Sequence, residues 1–342
     1  MQPWPRIDWY ALRSGVELAL RKSGLPPSTR VDGRIISLES GANHDNFILK
    51  LRGDEPSALL DERLLLRRIR SPANCSRYDE TPAARLQKEA ETLRALQELA
   101  CPFDSPRFVC FVEDDDGFAR AFIETIVAGT PLELLKRLDR DRHPRARMAI
   151  PAIARAAAAI HRLPVERFPF LRQHADADAH VADELSRLLE EPVAGGAALR
   201  HDPVALAALA WIDEHRPKQR PAAVLHGDLL PQNLLLSLET NRLSVVDWEY
   251  AQIGDPAYDL AIVTRGNRKP LGVEHGLRRL RDAYREAGGA DVEPADVMVW
   301  EMLLVLSWLR DALQIHCSER HSGQPPEYYR NQLYGLLRRA PR

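Results

Sequence analysis

Residues 226–249 read HGDLLPQNLLLSLETNRLSVVDWE, and three oxygen-bearing side chains stand at fixed places within this stretch. Asp228 belongs to the segment HGD, Asn233 follows five positions later, and Asp247 comes after the runs LLLSL and RLSVV. These two apolar runs flank the polar residues 239–241, a pattern typical of a short β-hairpin. Asn233 and Asp247 are therefore predicted at the two ends of one hairpin, where their side chains can converge.

This order of residues suits phosphoryl transfer to a hydroxyl. A hydroxyl that attacks a phosphate in line needs a carboxylate beside it, and the phosphates need a metal held by oxygen ligands. In protein kinases, the catalytic-loop Asp stands five residues before an Asn that binds Mg²⁺, and an Asp beyond a hairpin also binds Mg²⁺. Asp228, Asn233 and Asp247 repeat that order. Each of them alone is compatible with an ordinary turn or strand end, but their combined order favours the catalytic interpretation.

Strand patterns dominate the first part of the chain. Apolar residues at helical spacing predict an opening helix over residues 8–22. Strands are predicted at 34–39, 47–51 and 63–69, a long helix from Thr81-Pro82 to about residue 99, and strands at 107–112 and 118–126 around the turn sequence EDDDG. The expected result is a five-stranded antiparallel sheet with one inserted helix.

The pattern becomes helical from residue 127 onward, apart from short β-like runs within 222–246. Helices are predicted at 131–142, 145–163, 178–191, 203–216, 256–265, 275–287 and 294–317. We therefore expect an N-terminal domain of residues 1–126 and a C-terminal domain of residues 127–342.

Composition narrows the classes of partner. The chain has 342 residues, of which 45% are apolar, and its 47 Lys and Arg nearly balance its 49 Asp and Glu. A balanced charge disfavours nucleic acid and anionic membranes as partners. The N-terminus MQPWPRIDWY lacks the apolar run of a signal peptide, and the run 297–308 is too short to cross a bilayer.

Cysteine usage points to a reducing compartment. Cys75, Cys101, Cys110 and Cys317 are scattered, with no CxxC pair and no spacing suited to a zinc site. We therefore expect a cytoplasmic protein.

The longer stretch HGDLLPQNLLL…VVDWEYAQIGDPAYDLA resembles the signature of the aminoglycoside phosphotransferase and choline kinase-like family. The resemblance implies an α+β, protein-kinase-like fold with two lobes. The N-terminal lobe would bind the nucleotide with a five-stranded antiparallel sheet and a helix, and a mainly helical C-terminal lobe would carry catalysis and bind the acceptor. It also implies ATP as phosphate donor, with GTP as the alternative, Mg²⁺ as cofactor, and a hydroxyl of a small molecule as acceptor.

Carried over residue by residue, the resemblance assigns roles to the signature. Asp228 would be the catalytic base, and Asn233 with Asp247 would hold the metal. Glu249, two positions after Asp247, would assist a second metal in a secondary role.

Two further residues of the signature would support the loop. His226 would brace it, with a packed histidine of no chemical role as the alternative. Asp259 would anchor the loop through hydrogen bonds to its backbone, with a solvent-facing helical Asp as the alternative. Asp255 suits the N-cap of the helix that begins at Ala257, and we assign it to scaffolding.

In the N-terminal lobe, the third strand ends in LLLRRIR, where the family places a Lys or Arg against the nucleotide phosphates. Arg67 is the candidate, and its planar guanidinium can bind phosphate oxygens in pairs. Glu89 of the following helix would orient it, with Glu91 as the neighbouring alternative. The alternative for Arg67 and Glu89 is that both are exposed charged residues on ordinary elements.

Two segments complete the expected nucleotide site. The turn SGANHDN would cover the phosphates with Ser40, Gly41 and Asn43, although a single glycine is equally compatible with a plain hairpin loop. The segment from Glu124 to Ile126 aligns with the hinge, whose main-chain groups would receive the purine.

The sequence is compatible with three further classes of function and disfavours a fourth. A choline, ethanolamine or hydroxyacyl-thioester kinase would share the fold, and a catalytically silent nucleotide-binding module is the rival from another class. A hydrolase is disfavoured because neither a GxSxG motif nor a reactive Cys accompanies the HGD segment. The acceptor and the oligomeric state are not fixed by the sequence.

Overall fold

The structure, a computed structural model, describes residues 8–38, 44–69, 81–113, 119–133, 146–190, 194–217, 220–264, 275–316 and 324–340. The chain divides into two compact units. The first contains Met1–Ala100 and Asp104–Ala128, and the second contains Cys101–Phe103 and Gly129–Arg342.

The first unit is an antiparallel sheet with helices. Its described elements are α1 (Trp9–Lys22), β1 (Arg30–Val31), β2 (Ile36–Leu38), β3 (His44–Arg52), a 3₁₀ turn (Ala58–Leu60), β4 (Arg63–Ile69), α2 (Pro82–Gln97), β5 (Phe108–Glu113) and β6 (Ala119–Thr125). The helix starts follow from local chemistry. The Asp8 carboxylate accepts from the N–H groups of the first turn of α1, and the Thr81 hydroxyl accepts from Ala84 N at 3.2 Å ahead of α2.

The sheet order is β1-β3-β4-β6-β5, and β2 pairs with β3 on the same edge as β1. β1 pairs with the end of β3 at Leu51 and Arg52, while β2 pairs with residues 46–48. The sequence predicted one edge strand at 34–39, whereas the structure has two short ones separated by Gly33, whose φ of 63° lies in the left-handed region. The sheet is therefore five strands wide, as predicted, with an interrupted edge.

The two faces of this sheet differ in chemistry. One face packs apolar side chains such as Leu64, Leu66 and Phe47 against Leu20 of α1. The other face, which α2 covers, carries Arg67, since side chains alternate along a strand. A buried charge on the α2 side is thus positioned by the strand register.

The second unit is mainly helical. Its described helices are α3 (Ala146–Ile160), α4 (Ala177–Leu189), α5 (Ala194–Leu199), α6 (Pro203–Glu214), α7 (Ala257–Thr264), α8 (Gly276–Glu286), α9 (Pro294–His316) and α10 (Pro326–Leu337). The apolar helix α9 packs against α4, α5, α6, α7 and α10, and α3 packs against α8. None of the described helices combines the length and apolar composition that a bilayer crossing requires.

Short strands in this unit position the signature residues. The strands are β7 (Thr130–Pro131), β8 (Ala223–Leu225), β9 (Leu234–Leu236), β10 (Leu243–Val245) and β11 (Gln252–Gly254). β9 and β10 form the predicted hairpin, with β7 on the outer edge of β9, and β8 pairs with β11. All residues of β8 and β10 are buried, and their apolar side chains hold the intervening polar segments in place.

The predicted antiparallel sheet, its inserted helix and the helical second part are confirmed. Helices α5 and α10 were not predicted from the sequence. Most of the helix predicted over 131–142 and the EDDDG turn lie outside the described residues, and β7 occupies residues 130–131.

Candidate functional site

The loop that carries Asp228 begins with a turn that only glycine can make. Gly227 has a φ of 80°, and a Cβ added there would lie 2.0 Å from the carbonyl oxygen of Tyr250. A side chain would therefore collide with the backbone of the neighbouring segment. The turn follows the buried strand β8 and leaves Asp228 partly exposed between buried neighbours.

Asn233 is tied directly to Asp228. Its side-chain Nδ2 donates to the Asp228 backbone oxygen and to Asp228 Oδ2, both at 2.9 Å. Because these two bonds engage the amide nitrogen, the Oδ1 atom of this buried residue is the one that can serve as a ligand for a hard cation.

The hairpin brings Asp247 beside Asn233. Leu234 pairs with Val245 in the β9–β10 register, and Val246 N donates to the Asn233 backbone oxygen at 3.0 Å. Asp247 follows at once, with a φ of 72°. A left-handed conformation at a residue other than glycine costs about 1 kcal/mol or more and is concentrated at functional sites. The hairpin predicted from the sequence is present, with Asn233 and Asp247 at its two ends, and convergence of their side chains on a metal stays a prediction.

His226 joins the two polar segments. Its Nδ1 accepts from Asp228 N at 3.3 Å, so the ring proton is on Nε2, which donates to Val246 O at 3.1 Å. Burial lowers the pKa of this imidazole, and nearby acidic residues oppose that shift only in part. The ring also packs on Trp248, with centroids 4.7 Å apart. His226 is thus a neutral brace between the Asp228 loop and the Asp247 segment.

Asp259 holds the loop from beneath. Its carboxylate accepts from His226 N at 2.8 Å and from Gly227 N at 2.9 Å. The side chain is fully buried, so the solvent-facing alternative does not apply. Burial alone would raise the pKa of this carboxyl, but the hydrogen bond donated by His161, the electrostatic influence of both imidazole rings and the backbone N–H of His226 bring the pKa below its ordinary value.

Asp255 has a structural environment. Its carboxylate accepts from Ala257 N at 3.1 Å and from Trp300 Nε1 at 2.8 Å, and Arg220 Nε lies 3.6 Å away. Burial raises the pKa of Asp255 in spite of these partners.

Glu249 is also buried, and its role beside a second metal stays a prediction.

The first unit contains a separate buried charge cluster. Arg67 Nη1 lies 3.0 Å from Glu89 Oε1 and 3.9 Å from Glu124 Oε1, and all three side chains are less than a tenth exposed. Of the two glutamates considered from the sequence, Glu89 is the partner of Arg67, while Glu91 accepts from Gln87 at 3.0 Å. The interpretation of Arg67 and Glu89 as exposed charges is wrong, because burial removes both from solvent.

Glu124 contributes its side chain to this cluster, whereas sequence reasoning considered only its main chain. The register pairs Leu65 with Glu124, so Glu124 shares a sheet face with Arg67. In the segment that follows, Thr125 N donates to Arg107 O and Ile126 N to Arg63 O. These two amide groups are engaged within the first unit, and purine contact by this segment stays a prediction.

Ser40, Gly41 and Asn43 lie outside the described residues.

Within the described part of the chain, no cluster of at least three His, Cys, Asp or Glu side chains is arranged to hold a metal. The pair Asn233 and Asp247 still fits Mg²⁺, which typically takes one or two protein ligands and completes its shell with phosphate oxygens and water.

The chain matches the model of the phosphotransferase enzyme family over residues 34–298. An aminoglycoside 3'-phosphotransferase from Streptomyces ribosidificus is 32% identical over 120 residues, which cover 34% of this chain and 44% of that protein. The match therefore spans less than half the length of this curated relative.

Solved structures share the fold over almost the whole chain. The GDP complex of wild-type aminoglycoside 2'-phosphotransferase-IIIa has a TM-score of 0.61 at 17% identity, covering 97% of this chain and 98% of that chain. The choline kinase LicA from Streptococcus pneumoniae has a TM-score of 0.58 at 15% identity, covering 91% and 94%. The α+β, kinase-like fold class predicted from the sequence is confirmed.

Proposed function

Because this chain belongs to the phosphotransferase enzyme family, we propose that it transfers the γ-phosphate of a nucleoside triphosphate to a hydroxyl of a small molecule. The observation that carries the proposal is the hydrogen-bonded arrangement of Asp228, Asn233 and the Asp247 segment. It combines one partly exposed carboxylate with an amide oxygen and a second carboxylate suited to a hard cation. Phosphoryl transfer needs these groups and little covalent chemistry from the protein.

Asp228 is the catalytic base in this proposal. Its carboxylate orients the acceptor hydroxyl and takes its proton as the hydroxyl oxygen forms a bond to the γ-phosphorus. The bond between that phosphorus and the oxygen bridging it to the β-phosphate breaks, and the nucleoside diphosphate leaves with the bonding electrons. Asn233 Nδ2 keeps the carboxylate from rotating, through its 2.9 Å bond to Oδ2.

Asn233 and Asp247 would hold Mg²⁺, with Glu249 as a secondary candidate. The bound cation would neutralise charge that develops on the phosphate oxygens. The fold would hold these ligands in place in two ways. His226 ties the segment before Asp247 to the Asp228 loop, and the β9–β10 register fixes the position of Asn233.

We assign nucleotide binding to residues 1–126 and catalysis with acceptor binding to residues 127–342. Arg67 would contact the phosphates, since Glu89 fixes one nitrogen of its guanidinium and a guanidinium can bind several oxygens. Ser40, Gly41 and Asn43 would cover the phosphates, and the main chain from Glu124 to Ile126 would contact the purine. ATP is the proposed donor, and GTP is the alternative in view of the GDP-bound relative.

A screen of aminoglycosides, choline, sugars and other hydroxyl compounds for acceptor-dependent release of ADP or GDP tests the proposal. Failure of every acceptor to raise diphosphate release above the nucleotide-only rate, at saturating Mg²⁺, would count against it. An active acceptor then identifies the substrate class.

The role of Asp228 is tested by Asp228→Asn, which should lower kcat by about 10²-fold or more, the range expected for loss of a general base. Nucleotide affinity should change little, because the carboxylate engages the acceptor. Asp213→Asn on the exposed face of α6 is the matched control and should keep full activity. Full turnover by Asp228→Asn would remove Asp228 from this role.

A further inference from the structure

A buried hydrogen-bonded chain continues from Asp259 away from the Asp228 loop. His161, the residue after α3, lies with Nε2 3.1 Å from Asp259 Oδ2 and with Nδ1 2.8 Å from the hydroxyl of Tyr284 in α8. The backbone N–H of Ala290 donates to that hydroxyl at 3.2 Å. The side chains of His161 and Asp259 and the whole of Tyr284 are almost completely buried.

The directions of these bonds follow from the groups that take part. A carboxylate only accepts, so His161 Nε2 carries a proton and donates to Asp259. Nδ1 on the other side of the ring is hydrogen-bonded to the Tyr284 hydroxyl, whose oxygen accepts from Ala290 N. The bond from Nε2 to Asp259, on which the inference rests, has this direction whichever way the Nδ1 bond runs.

The turn after α8 is shaped around the Tyr284 ring. Gly288 has a φ of 84°, and a Cβ on Gly289 would lie 2.3 Å from a ring atom of Tyr284. Gly289 N also donates to Tyr284 O at 2.9 Å. Two consecutive glycines thus let the backbone wrap the ring closely enough for Ala290 to reach the hydroxyl.

We propose that His161 and Tyr284 are positioning residues for the phosphotransfer site, acting through Asp259 on the backbone of 226–227 and so on Asp228. This inference rests on the proposed function, because the residue that it positions is the proposed base. His161 touches neither substrate nor metal in this scheme. Its effect is transmitted through the Asp259 carboxylate, which accepts hydrogen bonds from the backbone N–H groups of residues 226 and 227.

The physical reason is that Asp259 Oδ2 is shared. It accepts from His226 N at 2.8 Å and from His161 Nε2 at 3.1 Å. Without the histidine, a fully buried carboxylate loses one of three donors and the contact that fixes its rotation. The two loop amides then share a less fixed acceptor, and a displacement of about 1 Å at a reacting group can lower a rate by about 10²-fold.

Packing alone makes a different prediction. The rings of His161 and Tyr284 meet edge to face with centroids 5.5 Å apart, so a purely structural role would depend on shape. A positioning role depends on the proton donated from Nε2. Variants that separate shape from donation therefore distinguish the two roles.

The experiment compares His161→Gln, whose amide nitrogen can reach the Nε2 position, with His161→Leu, which has no donor. His161→Leu should lower kcat about 10-fold or more while KM for the nucleotide stays within about twofold, and His161→Gln should recover most of the loss. Tyr284→Phe, which removes only the hydroxyl, should lower kcat about three- to tenfold. His215→Leu, at the C-cap of α6, is the matched control and should leave kcat unchanged.

An NMR measurement makes the test independent of catalysis. The amide proton of Gly227 donates to the Asp259 carboxylate, and its resonance should move upfield in His161→Leu and return in His161→Gln. Equal kcat in His161→Leu and the wild type, or a Gly227 resonance that does not move, would overturn the proposal. If the wild type transfers no phosphate, the proposed function fails, and the Gly227 resonance still decides whether His161 positions the loop.

Discussion

Replacing Asp259 by Asn should destabilise the protein by about 3 to 5 kcal/mol, a large part of the total stability of a typical domain. The carboxylate serves three donors: Oδ2 accepts from His226 N and His161 Nε2, and Oδ1 accepts from Gly227 N. An amide has a single oxygen. The orientation that keeps most bonds places that oxygen at Oδ2 and turns the NH₂ group towards the N–H of Gly227.

The magnitude follows from these contacts. The bond to Gly227 is lost, and a hydrogen bond to a charged acceptor contributes about 1.5 to 3 kcal/mol. The two remaining bonds change from a charged to a neutral acceptor, which lowers each by about 1 kcal/mol, since charge-assisted bonds are roughly twice as strong. Relief from burying a charge does not reverse the sign, because the pKa of Asp259 is below its ordinary value: the ionised form is favoured more than in water.

Urea unfolding of both proteins at pH 7, and again at lower pH, measures this difference. The folded-state pKa of Asp259 is below the ordinary value of 3.8. The contribution of the charge is therefore complete above pH 3.8 and is lost as the pH falls through the folded value, so the gap between wild type and Asp259→Asn should narrow on acidification. Equal stability at pH 7, or a gap that widens in acid, would refute the reasoning.

Asp255→Asn is the matched comparison. Asp255 is equally buried, but its pKa is raised, because burial outweighs Arg220 and the Trp300 donor. Its charge is therefore stabilised less than in water, and the substitution should destabilise the protein less than Asp259→Asn does. A larger loss of stability in Asp255→Asn than in Asp259→Asn would contradict this inference from the directions of the two pKa shifts.

Two further substitutions test the proposed metal site and the first unit. Asp247→Ala should weaken nucleotide binding about 10-fold or more in the presence of Mg²⁺ and leave binding without Mg²⁺ unchanged. Calorimetry measures both affinities, and equal weakening in the two conditions would exclude a metal role for Asp247. Glu89→Gln should destabilise the protein by about 3 kcal/mol in urea unfolding, because Arg67 stays buried with its next carboxylate at 3.9 Å on Glu124. The neighbouring Glu91→Gln should change stability by less than about 0.5 kcal/mol, and similar losses in the two variants would contradict the importance of burial.

The elements that the sequence predicted well are those specified by local chemistry. Thr81-Pro82 marks the start of α2, because a hydroxyl cap and a fixed φ act within one turn. The split of the edge strand was missed, since the pairing of residues 30–31 with the far end of β3 depends on tertiary contacts. Helix α5 has the sequence AGGAAL, which offers neither periodicity nor caps.

In the candidate site, too, the residues that lie close in sequence could be predicted, and those joined only by tertiary contacts could not. Asp228, Asn233 and Asp247 fall within twenty residues, and the hairpin that joins them is encoded by its own apolar runs. His161 is 98 positions from Asp259, and the next contact, from His161 to Tyr284, spans 123. A lone histidine at the end of an Ala-rich helix has no local feature that indicates its partner, so only the fold could reveal this contact.

Asp228 is held by the buried amide of Asn233, by the buried ring of His226 and, through the backbone of 226–227, by Asp259. Asp228 and Asp247 are partly exposed, and the proposed function places their carboxylates against the reactants. Under the proposal, helices and loops that contact none of these supports can vary with the acceptor, whereas α8 and the end of α3, which carry Tyr284 and His161, cannot. Catalytic residues should therefore be recognisable from a short sequence pattern even where the acceptor is not, and the acceptor must be found by measuring turnover.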